Sequence, residues 1–308
     1  RMHFLHAALT SGLLESLDGP RTRAELLSDL DVKRPELLDA LLELGVSLGE
    51  LGRDGGGYRL KGGRARALRK EKNDALSAMV QANVTYYNSV FQGFDRRLKG
   101  GGLDEGLGAI GPLVARVSKI ADPYVEHFLS GIVRGKGPLR VLDVGCGSGS
   151  HLRRAVEVNP EVTAIGLDSD PEVVRKAREN VALWGLEGRV HLEEGDVRSL
   201  PADAKGPFDL VLVFSVIYYF GEDEREDVLR KIRDSLAPEG RVALVTSCRG
   251  EGADLFSANL NLATSSMAGL TPLPEVTEME NQLRAAGFAE VRRSRLIPRT
   301  TYFGFLAS

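Results

Sequence analysis

The residues best placed to do chemistry lie in VLDVGCGSGSHLRRAV, residues 141–156. A β-branched run reaches Asp143, glycines occupy alternate positions at Gly145, Gly147 and Gly149, and a helical pattern follows. Glycine lets the chain take tight positive-φ geometry and lets a ligand approach the backbone with no Cβ in the way. A dinucleotide fingerprint, G-x-G-x-x-G, would need its third glycine at 150, where this chain has Ser150. The pattern is instead acid-x-G-x-G-x-G. Two more acids close strand-like runs: Asp168 in AIGLDSD, nineteen residues after Gly149, and Asp196 in VHLEEGDVRSLP. A strand-end carboxylate can accept hydrogen bonds from a pair of ligand hydroxyls, although singly each reads more readily as a solvated surface acid. Phe214 closes the run FDLVLVF, and Ser215, Tyr218, Tyr219 and Phe220 follow it, at a strand end where open α/β sheets bind ligands. Their rings can attract a cation, or simply finish a core with the hydroxyls at its rim.

Taken together and in this order, VLDVGCGSG, AIGLDSD, VHLEEGDVRSLP and FDLVLVFSVIYYF with LAPEGRVALVTS resemble the landmarks of class I S-adenosylmethionine-dependent methyltransferases. The resemblance implies S-adenosylmethionine as cofactor and S-adenosylhomocysteine as product; no metal is expected, because no His/Cys cluster has zinc spacing and the acidic run 222–227 complements the start of a helix. It implies a cofactor site of Asp143, Gly145, Cys146, Gly147 and Gly149 at the loop, Asp168 and Ser169 at the ribose, and Asp196 and Val197 at the adenine, with Phe214, Ser215 and Tyr219 near the methionyl part. Across nearly the whole chain the sequence is similar to small-molecule O-methyltransferases that carry an N-terminal winged-helix dimerisation domain. Many of these place a histidine base after the fourth strand, in a run similar to H-V-L-H-D-W. Here the run is Ser215 to Phe220, and Tyr218 stands at the base position. A phenol with a reference pKa of about 10 is a weak base near neutral pH, so carbon, nitrogen and oxygen acceptors all stay open. The catalytic candidates are Tyr218, Tyr219, Tyr86 and His127, with His151 as an alternative base or a solvent-facing cap of its helix.

These residues need elements to hold them. Beyond Gly137, strands are expected at Arg140–Val144, Thr163–Leu167, Val190–Glu194, Asp209–Phe214 and Val242–Thr246, alternating with helices at 152–158, 172–183 and 226–236. Runs 290–296 and 301–306, joined at Pro298, are expected to pair antiparallel at one sheet edge. The fold class is therefore α/β, a Rossmann-like seven-stranded sheet, mostly parallel with an antiparallel terminal hairpin, over residues 137–308. Residues 1–72 read as helices Leu5–Leu17, Ala24–Leu30 and Pro35–Leu44 followed by the hairpin LGRDGGGYRL, a winged-helix pattern. Residues 73–136 are expected to form a helical connector that contributes to the active site. In it, Val80, Val84, Tyr87, Phe91, Phe94 and Leu98 make one apolar stripe facing core or a partner, with Asn83 and Tyr86 off the stripe. Loops are expected at 100–102 and 106–112, then helix over 114–133 interrupted at Pro123. The segment 254–275 reads as a substrate lid bearing Asn259, Asn261 and Met267, or as a plain cover of the sheet.

Composition removes several function classes. Forty Lys plus Arg against 43 Asp plus Glu leave no global positive field for nucleic acid or an anionic membrane. The third helix of the winged module carries Lys33 and Arg34 against Glu36, Asp39 and Glu43, a poor phosphate-contacting face that favours packing and homodimerisation. The longest apolar run, 210–220, is too short to span a membrane. The two cysteines, Cys146 and Cys248, fall in strand-like segments, so a reducing cytoplasm is expected rather than a disulfide framework. An opening at Arg1 rather than Met leads us to expect a natural start upstream. The leading expectation is a homodimeric methyltransferase acting on a small aromatic or polycyclic acceptor of natural-product biosynthesis. Two alternatives stand beside it: an enzyme that keeps the same cofactor for cyclisation or elimination, and a winged-helix regulator that senses it.

Overall fold

The structure is a computed structural model that describes residues 1–103, 107–201, 206–250, 252 and 254–308, with the backbone alone for 107–112. Its contacts divide the chain into two compact units: of the described residues, one holds 1–102 and 107–120, and the other Ala121–Ser308 together with Leu103.

In the first unit, helices Met2–Thr10, Leu13–Ser16, Arg23–Asp29 and Pro35–Ser47 surround a core of Phe4, Leu13, Leu14, Leu26, Leu42 and Leu51. The strands β1 (Arg21–Thr22), β2 (Leu51–Asp54) and β3 (Gly57–Leu60) pair antiparallel in the order β1-β3-β2, so the expected wing is present and gains a third strand. Three expectations need correction here. The single helix expected over Leu5–Leu17 breaks at Gly12, whose φ of 76° is left-handed. The continuous helix expected from 75 to 98 is Asp74–Ala82, a π-helical turn at Asn83–Tyr87, then Asn88–Phe91 and Phe94–Leu98. The π turn takes up one extra residue, which carries the buried face from Ala78 and Ala82 to Val90 and leaves Phe91 and Leu98 exposed. Last, the loop expected at 106–112 is helical from Leu107, within Leu107–Ser118; residue 106 lies outside the described residues.

The second unit starts with helix Asp122–Val133 and then builds the sheet from β4 (Leu139–Val144), β5 (Val162–Asp168), β6 (Val190–Glu194), β7 (Phe208–Phe214), β8 (Leu236–Ser247), β9 (Val291–Arg295) and β10 (Tyr302–Ala307). Their order is β6-β5-β4-β7-β8-β10-β9. The first five pair parallel, and β10 runs antiparallel between β8 and β9, which is the expected mixed sheet with a terminal hairpin. Helices Ser150–Val158, Pro171–Leu183, Arg225–Asp234 and Val276–Ala285 cover it. Two apolar clusters, one containing Leu142, Val211, Val213 and Leu244 and the other Val141, Leu210, Leu212 and Val245, show that successive strand residues are buried on opposite faces. Burial on both faces is what a central parallel sheet requires. β8 is longer than expected because it begins at Leu236, which pairs with Phe208 ahead of a register irregularity. Among the described residues, no helix is long and apolar enough to cross a membrane.

Candidate active site

The chain fills β4, β5 and β6 on one side and then crosses back to β7 on the other side of β4, so the sheet reverses direction beside the glycine loop. A crevice at the carboxyl ends of strands around such a reversal is where open α/β sheets bind ligands. Parallel register brings the strand ends together: Val144 faces Leu167 and Val213, Asp168 faces Glu194, and Phe214 faces Val245.

Gly145, Gly147 and Gly149 all have positive φ, at 70°, 54° and 80°. At Gly145 a Cβ would come within 2.7 Å of a Val216 methyl, so the loop can approach the strand after β7 only because this residue has no side chain. At Gly147 a Cβ would meet nothing within 4 Å, and its N–H instead donates to Asp168 Oδ2 at 3.0 Å. Asp168 Oδ1 accepts from the Asp170 N–H at 3.1 Å, so both oxygens are anchored while each keeps a lone pair for a ligand. Ser169 is exposed beside it. Cys146 is buried, and its sulfur lies 2.9 Å from where a Cβ on Gly166 would stand, so this residue can present only its backbone to a ligand. Burial pushes its thiol pKa up, with further contributions from Asp143 and Asp168.

Asp143, at the end of β4, is 1% exposed, and its Oδ2 has no hydrogen-bond partner among the described residues. Burial, and then the Asp168 charge, raise its pKa to about 8. A carboxyl held this way is a site for a cationic or hydrogen-donating group. Asp196 sits beyond β6. Its Oδ1 accepts from the Arg198 N–H at 2.8 Å and its Oδ2 from Arg198 Nη1 at 2.8 Å, while Val197 is buried.

Past β7, Phe214 is buried and Ser215 takes a φ of 57°, a strained value for a residue with a side chain. A 3-10 turn, Ile217–Tyr219, then places Tyr218 half-buried against the core and Tyr219 41% exposed, with their rings 5.2 Å apart. Burial and then Asp168 raise the Tyr219 pKa, so its phenol stays protonated at neutral pH and can donate a hydrogen bond. His151, which the sequence offered as a solvent-facing cap, is half-buried with its ring edge-on to Phe214 at 5.0 Å, and burial lowers its pKa to about 4. It is therefore a neutral imidazole at the strand edge. His127 is exposed on helix Asp122–Val133, away from the buried stripe Val125, Leu129, Ile132 and Val133. Tyr86 belongs to the first unit, in the π turn, with its ring 5.0 Å from that of Tyr87.

Sequence reasoning missed the groups that hold the aromatic turn. The Thr271 N–H donates to the Tyr218 carbonyl at 2.8 Å, and its hydroxyl lies 2.9 Å from the Phe220 carbonyl. Arg225, fully buried, donates through Nη2 to the Thr271 hydroxyl and the Pro272 carbonyl, each at 2.7 Å. The segment expected as a lid is a helix, Leu255–Thr264, capped by Asp254 and followed by this anchored stretch. Met267 is buried within it, and Asn261 accepts from the Leu273 N–H at 2.9 Å, so both have structural partners. Arg225 was hidden inside the charged run GEDERED, which reads as a solvated helix start.

Residues 141–240 match the family described as Methyltransferase domain. The chain is 31% identical over 181 residues to a trans-aconitate 2-methyltransferase of Methylobacterium nodulans, covering 55% of this chain and 63% of that protein. It spans less than two thirds of the length of the curated relatives it matches. Among solved structures, the mitomycin 7-O-methyltransferase MmcR superposes with a TM-score of 0.81 at 17% identity, over 99% of this chain and 93% of that one. Human N-acetylserotonin methyltransferase, solved with S-adenosylmethionine, superposes with a TM-score of 0.76 at 18% identity, over 99% and 93%. At such identities the superpositions establish the fold.

Proposed function

We propose that this chain, which carries a class I methyltransferase domain, is an S-adenosylmethionine-dependent enzyme that methylates a small organic acceptor. The observation that carries this reading is the glycine loop at the sheet reversal, closed by the hydrogen bond from Gly147 to Asp168 and following the buried Asp143, whose Oδ2 has no partner among the described residues. That set fits the cofactor: open space at Gly147 admits it, and the buried carboxyl suits its cationic end. Asp168 and Ser169 would hold the ribose. Asp196 and Val197 would take the adenine, and Gly145 to Gly149 with Phe214, Ser215 and Tyr219 the methionyl part.

When bound, S-adenosylmethionine supplies a methyl group on a sulfonium that is its own leaving group. What the protein contributes is alignment and exclusion of water. The rings of Phe214, Tyr218 and Tyr219, gathered just past β7, would favour a cation and a planar acceptor. Tyr219 can donate a hydrogen bond, and the neutral His151 can accept one. Neither raised phenol nor lowered imidazole is a strong base, which favours an electron-rich aromatic or polycyclic acceptor at carbon, nitrogen or oxygen. Tyr86 and His127 complete the catalytic candidates, and the first unit is proposed to form a homodimer.

Calorimetric titration with S-adenosylmethionine tests the site. Asp168→Ala is expected to weaken binding by on the order of 1–3 kcal/mol through the lost hydrogen bonds, and unchanged affinity would reject this placement. Mass analysis of products from a panel of phenols, amines and electron-rich rings then identifies the methylated atom. Turnover without release of S-adenosylhomocysteine would select the non-methylating alternative.

A further inference from the structure

The carbonyls of Tyr218, Tyr219 and Phe220 are each held by a group distant in sequence. Thr271 holds the outer two and is itself fixed by the fully buried Arg225. The middle one, Tyr219, accepts from Arg198 Nη2 at 3.3 Å. The same guanidinium donates to Asp196 Oδ2 at 2.8 Å and to Glu224 at 2.6 and 3.0 Å, and it lies 4.7 Å over the Phe220 ring. Glu224 in turn accepts from the Gly221 N–H at 2.7 Å. One planar fork thus joins the acid at the end of β6 to a carbonyl, a ring and, through Glu224, an N–H of the aromatic turn. A rigid fork cannot move at one end without disturbing the others.

We infer that Arg198 is a positioning residue that couples occupancy of the nucleoside end of the site to the setting of the aromatic turn; this rests on the cofactor reading above. A ligand donor taking a lone pair of Asp196 fixes that carboxylate, the carboxylate fixes Arg198, and Arg198 fixes the Tyr219 carbonyl. The cofactor thereby prepares the wall that meets the acceptor, and the acceptor site is completed after the cofactor binds.

The test is hydrogen exchange of the 217–221 amides, with and without saturating S-adenosylhomocysteine, in the wild type, Arg198→Gln and Arg198→Lys. The wild type is expected to gain protection at these amides on binding. Both variants are expected to lose that gain, because lysine keeps the charge but cannot span Asp196, Glu224 and the carbonyl together. In turnover, kcat is expected to drop about tenfold while KM for S-adenosylmethionine changes less than about threefold, since alignment rather than binding is lost. Equal protection in the wild type and both variants would overturn the role of Arg198 and leave the cofactor reading intact. Failure of the wild type to bind S-adenosylhomocysteine would overturn the cofactor reading and this inference with it. The Arg198 side chain is 40% exposed, which favours a folded variant; should Arg198→Gln unfold, Asp196→Asn breaks the same link from its other end with the same expected loss of protection.

Discussion

A carboxyl buried at the end of a central strand makes stability depend on pH in a calculable direction. Asp143 keeps its proton in the folded state up to about pH 8, against 3.8 for an ordinary aspartate, because burial and then Asp168 oppose its charge. Between those values the native state binds more protons than the unfolded chain, so unfolding free energy falls as pH rises through the window. Asp143→Asn keeps the shape and removes the titration. Relative to the wild type, this variant is expected to gain more than about 1 kcal/mol between pH 5 and pH 9 in urea denaturation. A constant difference across that range would show that Asp143 is ionised in the native protein. The same logic extends to binding: a cationic ligand beside this carboxyl favours its charged form, so S-adenosylmethionine binding near pH 7 should release protons. Calorimetric enthalpies that vary with the ionisation heat of the buffer in the wild type, and not in Asp143→Asn, would register that release.

The aromatic turn after β7 depends on its anchors more than on its own sequence. Thr271→Val removes the hydroxyl that relays the buried Arg225 to the Phe220 carbonyl and leaves a guanidinium N–H short of an acceptor. The expected loss is about 1–3 kcal/mol in denaturant unfolding, and an unchanged midpoint would mean that Pro272 and Glu278 satisfy Arg225 without it. This device also marks how far the sequence could be read. The sheet was legible because each strand is a short apolar run between helical patterns, and Asp143, Asp168 and Asp196 each lie at or just past a strand end. The anchors were not legible, because Arg225 and Glu224 stand in a run of charges: Arg225 is buried only when its helix meets residues 271–278, and Glu224 is paired only when Arg198, from the stretch after β6, reaches it. Of the two readings of His151, the solvent-facing cap fails for a similar reason: helical position alone could not reveal Phe214 packing against its ring. The π turn at Asn83–Tyr87 defeated periodicity outright, since one inserted residue rotates every later side chain and moves burial from Phe91 to Val90.

Two units of different character imply a division of labour that can be tested on the intact chain. Every proposed cofactor residue lies within Ala121–Ser308, whereas Leu76, Phe91, Leu98 and Val114 of the first unit are 43%, 57%, 72% and 44% exposed. A single exposed apolar side chain needs no explanation, but these four lie on helices Asp74–Ala82, Asn88–Phe91, Phe94–Leu98 and Leu107–Ser118. The first and last of these are joined by the Arg116–Asp74 ion pair at 2.6 Å. A second copy covering this region would bury apolar surface, and a stable interface would need about 800 Å² from each partner. Sedimentation at micromolar concentration is therefore expected to give twice the chain mass, and a wild-type monomer would end the dimer proposal. The double variant Phe91→Ser with Leu98→Ser should shift the equilibrium to monomer, because two partly polar side chains would then occupy the contact. Its S-adenosylmethionine affinity should stay within about threefold of the wild type if cofactor binding belongs to the second unit alone, since uncoupled distant sites act independently. A dimer that persists in the double variant would place the contact elsewhere on the chain, and a monomer that loses cofactor affinity would mean that assembly of the first unit helps to form the cofactor site.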